Sequence, residues 1–195
     1  MVQAATHHVK VHGFETLTIR SLATDLGVAP MTLYRHVRDK DDLLDEVVAR
    51  MLAGIWRPRV RRSDWRAWIA EAAERLRRFL VREPVALHIY LRRPVVSPAA
   101  MARMEAMVEV LMKAGFDAQS SATAYATVHT YTIGFAALQA SRERYGPVDE
   151  QDPVVRKLAS FTTRDQFAVG LGYLLDGFDR ASGRFNGPGS GTRAT

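Results

Sequence analysis

The sequence predicts an all-α chain, and three observations carry that expectation. Apolar residues recur at helical spacing in one segment after another along the 195 residues, the signature of helices with one buried face. Glycines close several of these segments, at Gly13, Gly27 and Gly115, where a left-handed stop belongs. Residues 118–141 then run for 24 positions without Asp, Glu, Lys or Arg, a composition suited to one long, mostly buried helix. The organisation expected is a small N-terminal helix-turn-helix head over residues 1–45, with a connector helix at about 40–56. A larger helical domain for effector binding and dimerisation follows over 57–181, and a tail over 182–195 is rich in Gly, Ser and Pro and expected to be disordered.

Taken in order, residues 2–12 form a short helix with Val2, Ala5, Val9 and Val11 as core contacts. It lacks a polar cap before its apolar positions, so either a native start lies upstream or the helix is short and frayed. His8 and His12 stand four apart, as a metal pair would, but no third ligand is near and exposed helix histidines are expected instead. Ile19, Leu22, Ala23 and Leu26 give the next helix its inner face, and Gly27 ends it. Pro30 suits the first position of a second short helix, which Leu33 and Val37 anchor inward. Met31, Thr32 and Arg35 then point outward, with Tyr34 and His36 on the flanks. Such a face fits a DNA groove: Arg donates two hydrogen bonds to guanine, Thr and Met meet a thymine methyl, and Tyr or Lys meets phosphate. The competing reading for Tyr34 is packing against the helix that follows.

Asp39 caps that following helix, and Asp41 and Asp42 place negative charge at its positive end. Its stripe of Leu43, Leu44, Val47, Val48, Met51 and Ile55 runs to about Trp56. Arg57, Arg59, Arg61 and Arg62 crowd the linker beyond, read as a solvated basic segment, and Pro58 marks the domain boundary. Ser63 is expected to cap the next helix, whose buried stripe is Trp65, Trp68, Ile69, Ala72, Leu76, Phe79 and Leu80, ending near Glu83 and Pro84. A short helix over 84–93 follows. Pro94 and Pro98 bracket a break, after which Ser97 caps a helix carrying Met101, Met104, Met107, Val108, Leu111 and Met112. Those methionines fit either ordinary core or the wall of an adaptable cavity. Asp117 opens the uncharged helix, and small residues at Ala118, Ala122, Ala126, Gly134, Ala137 and Ser141 allow another helix to approach. After a polar loop from Gly146 to Pro153, Thr163 caps a last helix with Phe167, Ala168, Leu171, Leu174, Leu175 and Phe178 in register.

Composition narrows the functional classes. The hydrophobic share of 47% supports a full core, and the charge of +6 with a pI near 10.0 favours a polyanionic partner,. Cysteine is absent, which removes thiolate chemistry and Cys-ligated zinc and, with no apolar signal-peptide core at the N-terminus, fits a cytoplasmic protein. A membrane span over 118–141 is disfavoured because Ser120, Ser121, Thr123, Thr127, His129, Thr130, Thr132 and Gln139 would each need a partner in hydrocarbon. No catalytic set, phosphate loop or cofactor motif is recognisable. Gly170 and Gly172 begin a dinucleotide pattern that Leu175 breaks.

The string LTIRSLATDLGVAPMTLYRHVRDKDDLLDEVV resembles the TetR/AcrR family of bacterial transcriptional repressors, through Leu17, Thr18, Leu22, Ala23, Gly27, Val28, Leu33, Tyr34, His36, Val37, Lys40, Leu43 and Leu44. The resemblance covers nearly the whole chain. It implies an all-helical homodimer with a three-helix DNA-binding head, joined through the helices at 117–145 and 164–181. The partners implied are a palindromic double-stranded operator and a small-molecule effector. The second half resembles the tetracycline-repressor subclass at Asp64-Trp65, at the LRRP turn ending in Pro94, at the KAGF end of a helix, and at the TIGF segment around Gly134. It departs at the ligand positions: the subclass's metal-engaging histidine and glutamate align with Ile89 and Leu138, and its drug-contacting asparagine and phenylalanine with Ala72 and Leu76. His88 is one position, about 100° of helix, away. No tetracycline, no required metal and a largely apolar effector are therefore expected.

The candidate DNA-binding set is Thr18, Arg20, Pro30, Met31, Thr32, Tyr34, Arg35, His36 and Lys40. The candidate effector pocket is Trp68, Phe79, Tyr90, Met104, Met107, Tyr125, His129 and Phe135, each with an alternative reading as plain core. The function expected is a ligand-responsive repressor, against the alternative of a ligand-binding or protein-interaction module that has lost operator binding.

Overall fold

A computed structural model describes residues 1–13, 15–53, 58, 61–92, 98–145 and 163–181. All the regular structure among them is helical: α1 (Val2–His12), α2 (Ile19–Leu26), α3 (Pro30–Tyr34), α4 (Lys40–Ala53), α5 (Trp65–Arg82), α6 (Pro84–Arg92), α7 (Pro98–Lys113), α8 (Ala118–Tyr145) and α9 (Arg164–Ala181). The expectations placed on Ile55, Trp56, Arg57, Arg59, Pro94, Ser97, the loop from Gly146 to Pro153 and the tail beyond Ala181 fall outside the described residues.

In the head, Thr18 and Ser21 form a reciprocal capping box that starts α2. The Ser21 N–H donates to Thr18 Oγ1 and the Thr18 N–H to Ser21 Oγ, each at 2.9 Å, satisfying two amides that a helix start leaves orphaned. Gly27 ends α2 at φ 65° and ψ 30°, a left-handed conformation that strains any residue with a Cβ. Pro30 then begins α3, and the Val37 N–H still reaches the Leu33 carbonyl at 3.1 Å. The inner face closes as expected at Leu33 and Val37, 4% and 3% exposed.

Three expectations for the head are corrected. Val11 is 57% exposed, because α1 ends one residue later and its inner face is carried by Ala5, His8 and Val9. His8 is buried at 5% exposure, not solvent-facing. Its Nδ1–H donates to Asp25 at 2.5 Å, and Nε2 lies 3.2 Å from Thr16 Oγ1, so the ring ties α1 to α2. Leu26, at 36%, sits at the edge of the face where the chain turns away.

Further along, the Asp42 N–H donates to Asp39 Oδ1 at 2.8 Å, the expected cap of α4. The cap of α5 is Asp64 and not Ser63, its carboxylate accepting from the Ala67 N–H at 3.0 Å. A carboxylate suits the positive helix end better than a hydroxyl. Met101 and Met112 are exposed at 40% and 49%; α7 turns Arg103, Met107, Val110 and Leu111 inward instead. Ala168 of α9 is also exposed, while Phe167, Leu171 and Leu175 are buried.

Two hydrophobic clusters organise the molecule. One joins α1–α4 to the end of α5, to α6 and to Ala136 of α8, so the head shares its core with the larger domain through Phe79, Leu80, Val85, Leu87 and Ile89. The other is built from Trp65, Trp68 and Ile69 against α7, α8 and α9, with Trp65 edge-on to Phe116. Buried Arg77 sits between α5, α8 and α9: it donates to Glu74 and Gln139 and lies 5.3 Å from the Phe167 ring. Arg66 bridges to Asp176 and Asp179 and fastens α5 to α9.

Candidate DNA-binding face and effector cavity

Most of the expected DNA-facing residues are exposed on the head. Thr18, Arg20, Pro30, Thr32, Arg35 and His36 are exposed, Lys40 is half-buried, and Met31 and Tyr34 reach 73% and 47%. About half of the Tyr34 surface is thus open to solvent. Buried Leu33 and Val37 press α3 onto the head and hold this face outward, so its side chains are available to a groove. Thr18 has a second task, since its hydroxyl caps α2. Arg38, which sequence reasoning passed over, is also exposed, but its guanidinium is folded back on Asp42 at 3.3 Å.

Deeper in the chain, α4, α5, α7 and α8 line a partly open cavity of about 40 Å³. Leu52 of α4 forms one side, Ala72, Ala73, Arg75 and Leu76 of α5 a second, and Arg103 and Met107 of α7 a third. Tyr125, Val128, His129 and Thr132 of α8 complete the wall. Of the expected pocket residues, Met107, Tyr125 and His129 are therefore brought together. Tyr90 joins them from α6: its ring lies edge-on to His129 at 5.9 Å, and its hydroxyl accepts from Arg103 Nη2 at 2.7 Å. The Tyr125 and His129 rings stack at 5.3 Å with 16° between planes.

The other expected pocket residues lie elsewhere, for reasons of position along and around their helices. Trp68 and Phe79 are one turn to either side of the cavity-facing part of α5, and each is consumed by a hydrophobic cluster. Phe135 packs edge-on against Phe167, 5.2 Å away on α9. Met104 is half-buried, rotated about 100° from Arg103,. Ala72 and Leu76, the positions that align with drug contacts in the tetracycline-repressor subclass, do line the wall. Ile89 is buried in the core shared with the head, and Leu138 is 51% exposed on the outer face of α8.

Sequence reasoning missed the arginines. Arg75 and Arg103 both face the cavity, and Arg103 is only 8% exposed. The available signal was register, because Arg103 stands four residues before buried Met107 and so shares its inward face. Burial, reinforced by Arg103, pushes the His129 imidazole down to about 4, leaving it neutral at physiological pH. Burial pushes the Tyr125 phenol up; it does the same to Tyr90 against the opposing pull of Arg103.

A second apolar surface lies outside, where α8 and α9 run side by side. Leu138, Val169 and Tyr173 are 51%, 49% and 72% exposed there, beside Thr130 and Gly134. The two helices approach closely: a Cβ added at Gly170 would collide with the Tyr131 hydroxyl. Among the described residues, no helix is long and apolar enough to cross a membrane.

Comparison with known proteins bears on both halves. Residues 2–47 match the model of bacterial regulatory proteins of the tetR family, and residues 57–161 match that of the tetracyclin repressor-like C-terminal domain. The HTH-type transcriptional repressor DrrR1 of Streptomyces coeruleorubidus is 28% identical over 92% of this chain and 76% of its own length. The tetracycline repressor protein class A from transposon 1721 of Escherichia coli is 31% identical over 91% of this chain and 88% of its own. Among solved structures, a TetR variant from Acinetobacter baumannii AYE in complex with minocycline superposes with a TM-score of 0.70 at 26% identity, covering 93% of this chain and 95% of that one.

Proposed function

The chain belongs to the TetR family of bacterial regulatory proteins, and from that premise we propose that it is a homodimeric, non-enzymatic transcriptional repressor, released from a palindromic operator by a small effector. The observation that carries this reading is the placement of Leu52. It stands in the cavity wall on α4, and α4 begins at Lys40, immediately beyond the DNA-facing residues. One rigid helix therefore has its last turn at the ligand and its first turn at the DNA.

The chemistry of release follows from size. A volume of about 40 Å³ admits a few water molecules at roughly 10–15 Å³ each. An organic effector larger than this volume widens the cavity, and widening displaces helices that line it, α4 among them. Two α3 helices in a dimer bind consecutive major grooves only when about 34–36 Å apart. Moving from mostly bound to mostly released needs roughly 10⁴-fold preference of ligand for the released state, about 5.5 kcal/mol. The largely apolar wall fits a small, largely apolar effector, and the exposed face of α8 and α9 is suited to join two subunits in a four-helix interface. Such a protein acts in the cytoplasm, where its DNA is.

The specific DNA contacts proposed are Arg35, Thr32 and Met31 to base edges and Thr18, Arg20, Pro30, Tyr34, His36 and Lys40 to the backbone or groove edges. The test is a fluorescence-anisotropy titration of the protein against DNA from its own promoter region and against random duplex. Tight, saturable binding to a palindromic segment is expected. Absence of binding at low salt would instead identify a ligand-binding module that has lost its operator.

A further inference from the structure

Most of the polar groups around the cavity are already committed. The Thr132 hydroxyl donates to the Val128 carbonyl at 2.7 Å. Arg75 donates to Glu71 through Nε and Nη2 at 2.8 and 2.6 Å, and Arg103 bonds the Tyr90 hydroxyl at 2.7 Å and has a further interaction besides. Two wall residues on α8 differ. Among the described residues, neither ring nitrogen of His129 nor the hydroxyl of Tyr125 has a hydrogen-bond partner. Burial, reinforced by Arg103, keeps His129 neutral at physiological pH, so one ring nitrogen is a donor and the other an acceptor. Burial likewise keeps the Tyr125 phenol protonated, and its hydroxyl donates and accepts.

The chemistry of an occupant follows from these groups. Tyr125 and His129 stand one helical turn apart with their rings stacked at 5.3 Å and 16° between planes, a flat wall suited to another aromatic ring. A hydroxyl donates and accepts through one oxygen, so it can serve His129 and Tyr125 together. Charge is disfavoured in either sign. A cation would meet two guanidiniums and no Asp or Glu side chain on the wall, while an anion would have to displace partners that Arg75 and Arg103 already hold; each would also lose its hydration on entering. Size narrows the class further. A cavity of about 150 Å³ in another protein accepts benzene, so this one, at about 40 Å³, must widen even for one ring.

We propose that the effector is a small, uncharged, single-ring phenol, its ring laid against Tyr125 and its hydroxyl donating to the unprotonated nitrogen of His129, an inference that rests on the cavity being the effector site. His129 is then a specificity-determining residue: it selects the phenol over a ring of the same shape that cannot donate a hydrogen bond. Leu52, Leu76 and Val128 leave the rest of the wall to an alkyl substituent.

Isothermal titration of the full chain at pH 7 with 4-ethylphenol, 1-ethyl-4-fluorobenzene and 4-ethylbenzoate tests this. The fluoro compound keeps the shape without the O–H donor, and the benzoate adds a negative charge. The phenol is expected to bind at least about tenfold more tightly than either, because the others leave polar groups of the wall unmet or bring an unmatched charge. His129→Phe should erase the preference for the phenol over the fluoro compound while leaving the latter's affinity within a factor of about three, and His129→Gln, which keeps a donor and an acceptor, should retain part of it. Equal binding of the phenol and the fluoro compound, a benzoate that binds as tightly as the phenol, a preference that survives His129→Phe, or failure of all three to bind overturns the proposal. Ala72→Leu, or Ala72→Val should the first not fold, fills the cavity and separates failure of the ligand class from failure of the site. Probes that bind equally but are lost on filling leave the cavity as the effector site and remove only the hydroxyl contact. Probes that bind the filled variant as before remove the site itself. Helical circular dichroism verifies that each variant is folded.

Discussion

His129 offers a direct check on the cavity because its chemistry predicts how stability depends on pH. The imidazole is held at about 4 by burial and by Arg103, against an ordinary 6.5. Between those values the unfolded chain binds a proton that the folded one refuses, so acidification favours unfolding. The contribution is absent above pH 6.5, grows as pH falls through the window, and is complete below about 4. A shift of 6.5 − 4, or 2.5, at about 1.4 kcal/mol per unit corresponds to about 3 kcal/mol. His88 is lowered too, first by burial and then by Arg92, and adds loss of the same sign, so the effect is read as a difference between proteins. Urea unfolding of the unaltered protein and of His129→Gln, followed by tryptophan fluorescence at fixed protein concentration from pH 7 to 4.5, supplies it. Gln keeps a neutral polar group there and cannot take up the proton. It should be less stable at pH 7, through loss of the ring stack with Tyr125, yet lose about 2–3 kcal/mol less on acidification. Parallel stability curves for the two proteins would mean that His129 is hydrated and ionises normally, and that the cavity is open to bulk water.

Arg35→Ala should lose about 1–3 kcal/mol on the operator and relax one base preference, whereas Lys40→Ala should weaken specific and random duplexes alike; anisotropy titrations on both DNAs separate them, and equal losses for both variants would defeat that division. Arg77→Met should cost about 3 kcal/mol, since it removes a buried guanidinium that donates to Glu74 and to Gln139,. At roughly 2–4 °C per kcal/mol, the melting temperature should drop by about 6–12 °C, and adding Glu74→Leu should recover most of it. Tyr173→Glu places a charge at the most exposed apolar position of the α8 and α9 face; sedimentation should then show monomer at concentrations where the unaltered protein is dimeric, with operator affinity lost in parallel.

How much of this could be read beforehand depended on how local the determining physics is. Caps, stops and helix faces are set within a few residues, so Gly27, Pro30, Asp39, Asp117 and Thr163 were legible, and so was the outward set of α3. The Ser63 and Asp64 choice is local too, but two neighbouring residues that can each cap compete there, one position apart. His8 was illegible for another reason: its partner Asp25 is on a different helix, and helical spacing alone made it look like a surface residue. The cavity combines both situations. Periodicity finds which side of α5 faces inward, but whether Ala72, Trp68 or Phe79 borders open space depends on what fills the same level of α7 and α8. Aromatic residues were favoured over alanines for the wall, yet a cavity is left where side chains are small, and Ala72 and Ala73 leave it.

The shared core limits how a signal can pass. A head hinged freely on the larger domain would let a ligand move α4 without moving the recognition surface in step. Here Leu43, Val47 and Val48 of α4 lie in the same cluster as Val85, Leu87 and Ile89 of α6 and Ala136 of α8, and close-packed interiors transmit displacement more readily than they absorb it. The Arg92–Glu15 pair at 3.1 Å also crosses this boundary, but both side chains are exposed and such pairs contribute about 0–1 kcal/mol, so it offers little resistance. From Lys40 to Leu52 the helix rises about 18 Å at 1.5 Å per residue. On the proposed mechanism, a push at its Leu52 end swings the head about the α6 contact as one body, and in the proposed dimer the two swings add to the distance between recognition helices. Operator binding on that mechanism is expected to respond to a small change in cavity volume with no separate relay of side chains.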